Sequence, residues 1–127
     1  MRHSLLLVGL SLLLLSAVAG AQETGHLTVT VQRAATMGSA AAPIAGAKII
    51  IVHWTNSGMQ PSLVQDQVAA TGPMGMYTVD LPPGTYDIFI SATELMPGAF
   101  RREIKAGQTT ELPVNLRATP LHFRPLE

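Results

Sequence analysis

The stretch Tyr77-Thr-Val-Asp-Leu-Pro-Pro-Gly-Thr-Tyr-Asp-Ile-Phe-Ile90 decides how this chain folds. Tyr77, Val79 and Leu81 alternate with Thr78 and Asp80, the period-two pattern of a strand with one buried face. Pro82 and Pro83 have no N–H to donate and end the pairing. Pro83-Gly84 suits a type II turn, in which proline presets φ and glycine takes φ > 0. Tyr86, Ile88 and Ile90 then resume the alternation. The segment predicts two one-sided strands joined as a hairpin. One-sided strands need a second sheet to cover them, so the expected fold is a β-sandwich.

Working outward, the same alternation recurs. His26–Ala34 predicts a first strand with Leu27, Val29 and Val31 on one face. Ala35–Ala42 is a small-residue loop. Pro43-Ile-Ala-Gly46 leads into a second strand over Ala47–Trp54, apolar at nearly every position except Lys48, as in a central strand. A weaker strand is expected near Val68. Phe100–Lys105 and Thr109–Arg117 supply the sixth and seventh. Pro113 lies within the last and marks it as an edge strand or a kinked one. No amphipathic helix of useful length is present. The expected class is all-β, a seven-stranded antiparallel β-sandwich.

The first 21 residues are excluded from that fold. Arg2 and His3 precede an apolar run over Leu5–Leu15, followed by small-x-small patterns ending at Ala19 and Ala21. This is the pattern of a signal peptide over 1–21, cleaved after Ala21, with Ala19 the alternative. The run is shorter than the roughly 20 residues of a spanning helix. The expected domain covers 22–118, and 119–127, with Pro120 and Pro125, is an extended tail. An exported protein, periplasmic or extracellular, is expected.

The 127 residues carry eight Lys/Arg against eight Asp/Glu and no Cys. A neutral chain has no electrostatic reason to bind nucleic acid. Without cysteine there is no thiol nucleophile, no thiolate metal site and no disulfide. No Gly-x-Ser-x-Gly, His-Glu-x-x-His or phosphate-loop pattern occurs. No enzyme activity, catalytic residue or cofactor is therefore expected.

Three ordered pieces carry a family resemblance: Pro43-Ile-Ala-Gly-Ala-Lys-Ile-Ile-Ile51, Gly75-Met-Tyr-Thr-Val-Asp-Leu-Pro-Pro-Gly-Thr-Tyr86 and Gly107-Gln-Thr-Thr-Glu-Leu-Pro-Val-Asn-Leu116. They resemble the carboxypeptidase regulatory-like domains, a branch of the transthyretin-like (prealbumin-like) sandwiches, over about Gly25–Leu116. The resemblance implies a non-catalytic exported module with a protein or cell-envelope partner. Related branches fit less well. The isopeptide-forming adhesin repeats need a Glu in the strand after the tyrosine, where this chain has Asp87 and Ser91. Lys48 and Asn115 are therefore expected to be ordinary exposed residues. The hydroxyisourate-hydrolase branch ends in Tyr-Arg-Gly-Ser, whereas this chain ends His122-Phe-Arg-Pro-Leu-Glu127. Starch-binding-like relatives stack sugars on exposed aromatics, and Trp54 is the single Trp.

Candidate ligand-binding residues are Trp54 and His53, at the end of the second strand and on opposite faces. Trp54 suits a sugar or peptide platform; a rim histidine and a sheet-covering tryptophan are the plainer alternative. Met74 and Met76 with His53 or His26 present thioether and imidazole donors of the kind Cu(I) prefers. Methionines in loops more commonly fill gaps under sandwich ends, as Met37, Met59 and Met96 also would. Pro83, Gly84, Tyr86, Tyr77 and Leu81 are structural: the turn and the core.

Overall fold

A computed structural model describes residues 23–55 and 64–120. Eight strands follow in order: β1 Gly25–Arg33, β2 Ala42–Pro43, β3 Lys48–His53, β4 Gln67–Ala70, β5 Met76–Leu81, β6 Gly84–Ser91, β7 Gly98–Ile104 and β8 Thr109–Leu116. The signal-peptide segment, Met59 and His122 lie outside the described residues.

Two sheets face each other. In one, β1 is central, with β8 on one side and β5, continued by the short β2, on the other. The other runs β4-β3-β6-β7. Alternation places Leu27, Val29 and Val31 against Ile49, Ile51, Ile88 and Ile90, all fully buried, while Thr28, Thr30 and Lys48 face outward. These are the faces the period-two pattern assigns. Lys48 and Asn115 are both exposed, on different sheets.

Three expectations need correction. Leu81 to Gly84 is not a hairpin turn. β5 pairs only with β1, and β6 pairs with β3 and β7, so the Pro82-Pro83 segment carries the chain from one sheet to the other. Two consecutive residues without N–H groups suit a crossing better than a ladder. Gly84 does have positive φ, but at +154° it departs from the +80° of a type II turn. Second, the sandwich is not wholly antiparallel, because β1 and β8 run parallel. Third, the two-residue β2 is an eighth element, in a segment read as the end of a loop.

The crossing is pinned by Tyr86. Its side chain is fully buried, and its hydroxyl donates to the Pro82 carbonyl at 2.6 Å. Its ring lies 5.1 Å from that of His53. A Cβ on Gly84 would come within 2.8 Å of His53 Nε2, so glycine is required there for space as well as for backbone. The entry to β3 is held by buried Thr71. Its Oγ1 donates to the Ile44 carbonyl at 2.6 Å and accepts from Ala47 N–H at 2.9 Å.

Pro113 sits on an edge strand, as expected. His26 N–H donates to the Gln108 carbonyl and Ala34 N–H to the Leu116 carbonyl. Even-numbered β8 residues therefore turn their backbone groups toward β1, and odd-numbered ones turn them outward. Pro113 thus lacks its N–H only on the open side.

Candidate functional site

The outer face of the β4-β3-β6-β7 sheet gathers side chains that the sequence scatters. Pairing register aligns Val68, Ile50, Phe89 and Ala99 in one row across the four strands. The next row carries Val52, Asp87 and Arg101. Val68 is 67% exposed and Phe89 44%, so the row forms an apolar strip open to solvent.

Beside it stands a stacked trio. Trp54 extends the pairing of β3 with β6 by donating its N–H to the Thr85 carbonyl at 2.8 Å. The Arg101 guanidinium lies 4.5 Å from the centre of the Trp54 ring, within cation–π range. The same guanidinium is bidentate on Asp87, with Nε to Oδ1 at 2.7 Å and Nη2 to Oδ2 at 3.1 Å. That hydrogen bond from Arg101, aided by its charge and opposed by partial burial, holds the Asp87 carboxyl below its ordinary range. In return the carboxylate raises Arg101. The trio fixes an indole, 36% exposed, with one ring face covered by the guanidinium. Asp87, Phe89, Ala99, Phe100 and Arg101 line a shallow depression at its side. An aromatic edge, an apolar strip and a fixed ion pair can bind, but they supply no nucleophile.

His53 and Trp54 lie on opposite faces, as expected for strand neighbours. His53 turns inward, against Tyr86 and under Gly84, and does not share the Trp54 surface. Asp80 and Asp87 are on different sheets: Asp80 faces His26 Nδ1, and Asp87 faces Arg101. Met74 and Met76 are exposed. Met76 opposes Thr30 and is four register positions, roughly 13 Å, from the position facing His26. His53 belongs to the other sheet, so the structure does not bring Met76 and either histidine together. Among the described residues no group of three or more His, Asp or Glu side chains has metal-site geometry.

Sequence reasoning missed Arg101 and Phe89. The available signal was alternation: Tyr86, Ile88 and Ile90 inward puts Asp87 and Phe89 on the same outer face as Ile50, Val52 and Trp54.

No family model matches the chain, and no curated protein matches it. Solved structures do. The minor pilin GBS52 of Streptococcus agalactiae is similar at a TM-score of 0.60 and 15% identity, over 84% of this chain and 49% of the pilin. The Bacillus anthracis TIE protein is similar at 0.58 and 16% identity, over 76% of this chain and 17% of that protein. Catechol 1,2-dioxygenase from Pseudomonas arvilla C-1 is similar at 0.51 and 12% identity, over 79% of this chain and 54% of the enzyme. The chain thus matches about half or less of each. At these identities the likeness shows the fold alone: a β-sandwich domain found in proteins of different kinds.

Proposed function

We propose that this protein is an exported, non-catalytic β-sandwich module of the carboxypeptidase regulatory-like kind. It binds a protein or cell-envelope partner through the outer face of the β4-β3-β6-β7 sheet. The observation that carries this reading is the open apolar strip Val68-Ile50-Phe89, flanked by Trp54 on its Arg101–Asp87 support. Partly desolvated aromatics and an arginine are the residue types that dominate binding energy at protein interfaces. Export is supported by the signal-peptide pattern.

The test is capture from envelope extract by the immobilised protein and by Phe89→Asp and Trp54→Ala variants. Phe89 and Trp54 lie outside the core, so both variants should fold. Loss of the captured partner with both supports the reading; undiminished capture with both removes this face from it. Specific turnover by the purified protein, abolished by changing one polar residue, would overturn the non-catalytic assignment.

A second reading is glycan binding on Trp54. It is favoured by the exposure of the Trp54 side chain, 36%, on the outer face of the sheet. Calorimetry against a glycan panel tests it, and binding unchanged in Trp54→Ala would sink it.

A further inference from the structure

A two-sheet sandwich has four edges, and three of them are guarded here. β8 presents Pro113 at an outward position, so an incoming strand finds a missing donor. β4 is only four residues long. β7 turns its odd-numbered backbone groups outward, because Trp54 N–H donates to the Thr85 carbonyl and so assigns the even-numbered groups of β6 to β7. Two of those outward carbonyls are already engaged by side chains. Arg102 Nη1 donates to the Arg101 carbonyl at 2.8 Å, and Thr110 Oγ1 donates to the Glu103 carbonyl at 3.4 Å.

The fourth edge, β5, is less guarded: its one outward group already engaged is the Met76 carbonyl at the strand's start, which accepts from Gly72 N–H. It runs six residues without proline or glycine. Val31 N–H donates to the Gly75 carbonyl at 2.8 Å, which assigns odd-numbered groups to β1. The N–H and C=O groups of Thr78 and Asp80 then point to the open side, together with Met76 N–H. The Met76 carbonyl accepts from Gly72 N–H at 2.9 Å, consistent with the same outward direction. Among the described residues no strand pairs with this side of β5.

We propose that β5 pairs antiparallel with β5 of a second copy of this chain, about a two-fold axis at Thr78. The sequence of the strand is self-complementary in that register. Thr78 faces the second Thr78 as a hydrogen-bonded pair. Tyr77 faces Val79 of the other copy, twice, an aromatic–β-branched pair of the kind that stabilises sheets. Met76 faces Asp80 of the other copy, twice, so the strand's one charge never meets its like. Tyr77 and Val79 are half-buried in one copy, which leaves apolar surface for the second to cover. The product is a sheet continuous across two molecules. A single strand pair buries less than the roughly 1,200 Å² of a stable specific complex, so the association is weak and concentration-dependent.

The absence of cysteine makes a direct test clean. Thr78→Cys should form a disulfide dimer under mild oxidation at least about ten-fold faster than Asn115→Cys, because pairing raises the effective thiol concentration. Asn115 is exposed on the proline-guarded edge and reports random collision. Adding Met76→Lys to Thr78→Cys sets a lysine opposite Asp80 of the other copy and should speed the reaction further. Equal rates for Thr78→Cys and Asn115→Cys overturn the proposal. The unmodified protein supplies a second readout. Hydrogen exchange at the Thr78 and Asp80 amides should slow between about 10 μM and 1 mM protein, the range over which a dimer of weak, micromolar-to-millimolar Kd fills. Exchange independent of concentration overturns it equally.

Discussion

Replacing Tyr86 tests both the inward register of β6 and the crossing between sheets. The side chain is fully buried, and its hydroxyl reaches back four residues to the Pro82 carbonyl. Truncation to alanine removes a whole aromatic ring from between the sheets. Core changes of that size cost about 3–5 kcal/mol. Tyr86→Phe keeps the ring and deletes only the bond to Pro82, a loss of about 1 kcal/mol. Thr85→Ala, on the outward side of the same strand, should cost under about 1 kcal/mol. Since domains have only about 5–15 kcal/mol in total, the alanine variant should be close to unfolding. Urea melts of the three variants and the parent give the comparison. If Tyr86→Ala is no worse than Thr85→Ala, the register and the core built on it are wrong. If Tyr86→Phe matches the parent, the hydroxyl does not hold the crossing. The same residue sets an alkaline limit. Burial raises the Tyr86 pKa above 10.0. Its stabilisation is complete below the unfolded pKa and is lost as pH rises from there through the folded value. Tyr86→Phe should therefore lose less stability above pH 10 than the parent does.

Gly84→Val should destabilise by about 1–3 kcal/mol, from positive φ together with the approach to His53 Nε2, read as a lowered urea midpoint. Asp87 should titrate below the ordinary carboxylate range by NMR, and Arg101→Ala should return it upward. Because its folded pKa is depressed, the pair stabilises above the unfolded value of about 3.9 and that share is lost as pH falls through the folded value, so Asp87→Asn should flatten the acid limb. Trp54 is the single tryptophan, so Arg101→Ala should change its fluorescence emission directly, and an unchanged spectrum would argue against the stack.

Inward and outward faces were legible because alternation is a local property. Leu27-Val29-Val31, Ile49-Ile51 and Tyr86-Ile88-Ile90 all lie in the core. Pro113 likewise announced an edge. What the sequence could not convey was which strand lies beside which. The residues Leu81-Pro82-Pro83-Gly84 carry turn chemistry whether the chain folds back in its own sheet or crosses to the other. Only pairing partners distinguish the two. The Trp54–Arg101–Asp87 stack is hidden for the same reason: its members come from three strands and meet through register.

The parallel pairing of β1 with β8 makes the first and last of the described strands neighbours, His26 beside Thr109. One sheet therefore closes through the entire intervening chain, which is a large entropic demand before any reward. β6 and β7 are adjacent in sequence and able to zip early. β1 must wait for residues at the far end. A ribosome or a translocation pore delivers the N-terminus first, so one edge of β1 stays unpaired until β8 emerges. Folding should accordingly be slow, in the millisecond-to-second range of topologies dominated by distant contacts. It should also be complete only once β8 is in place, and a chain truncated ahead of Thr109 would be a substrate for proteases and not a smaller working domain.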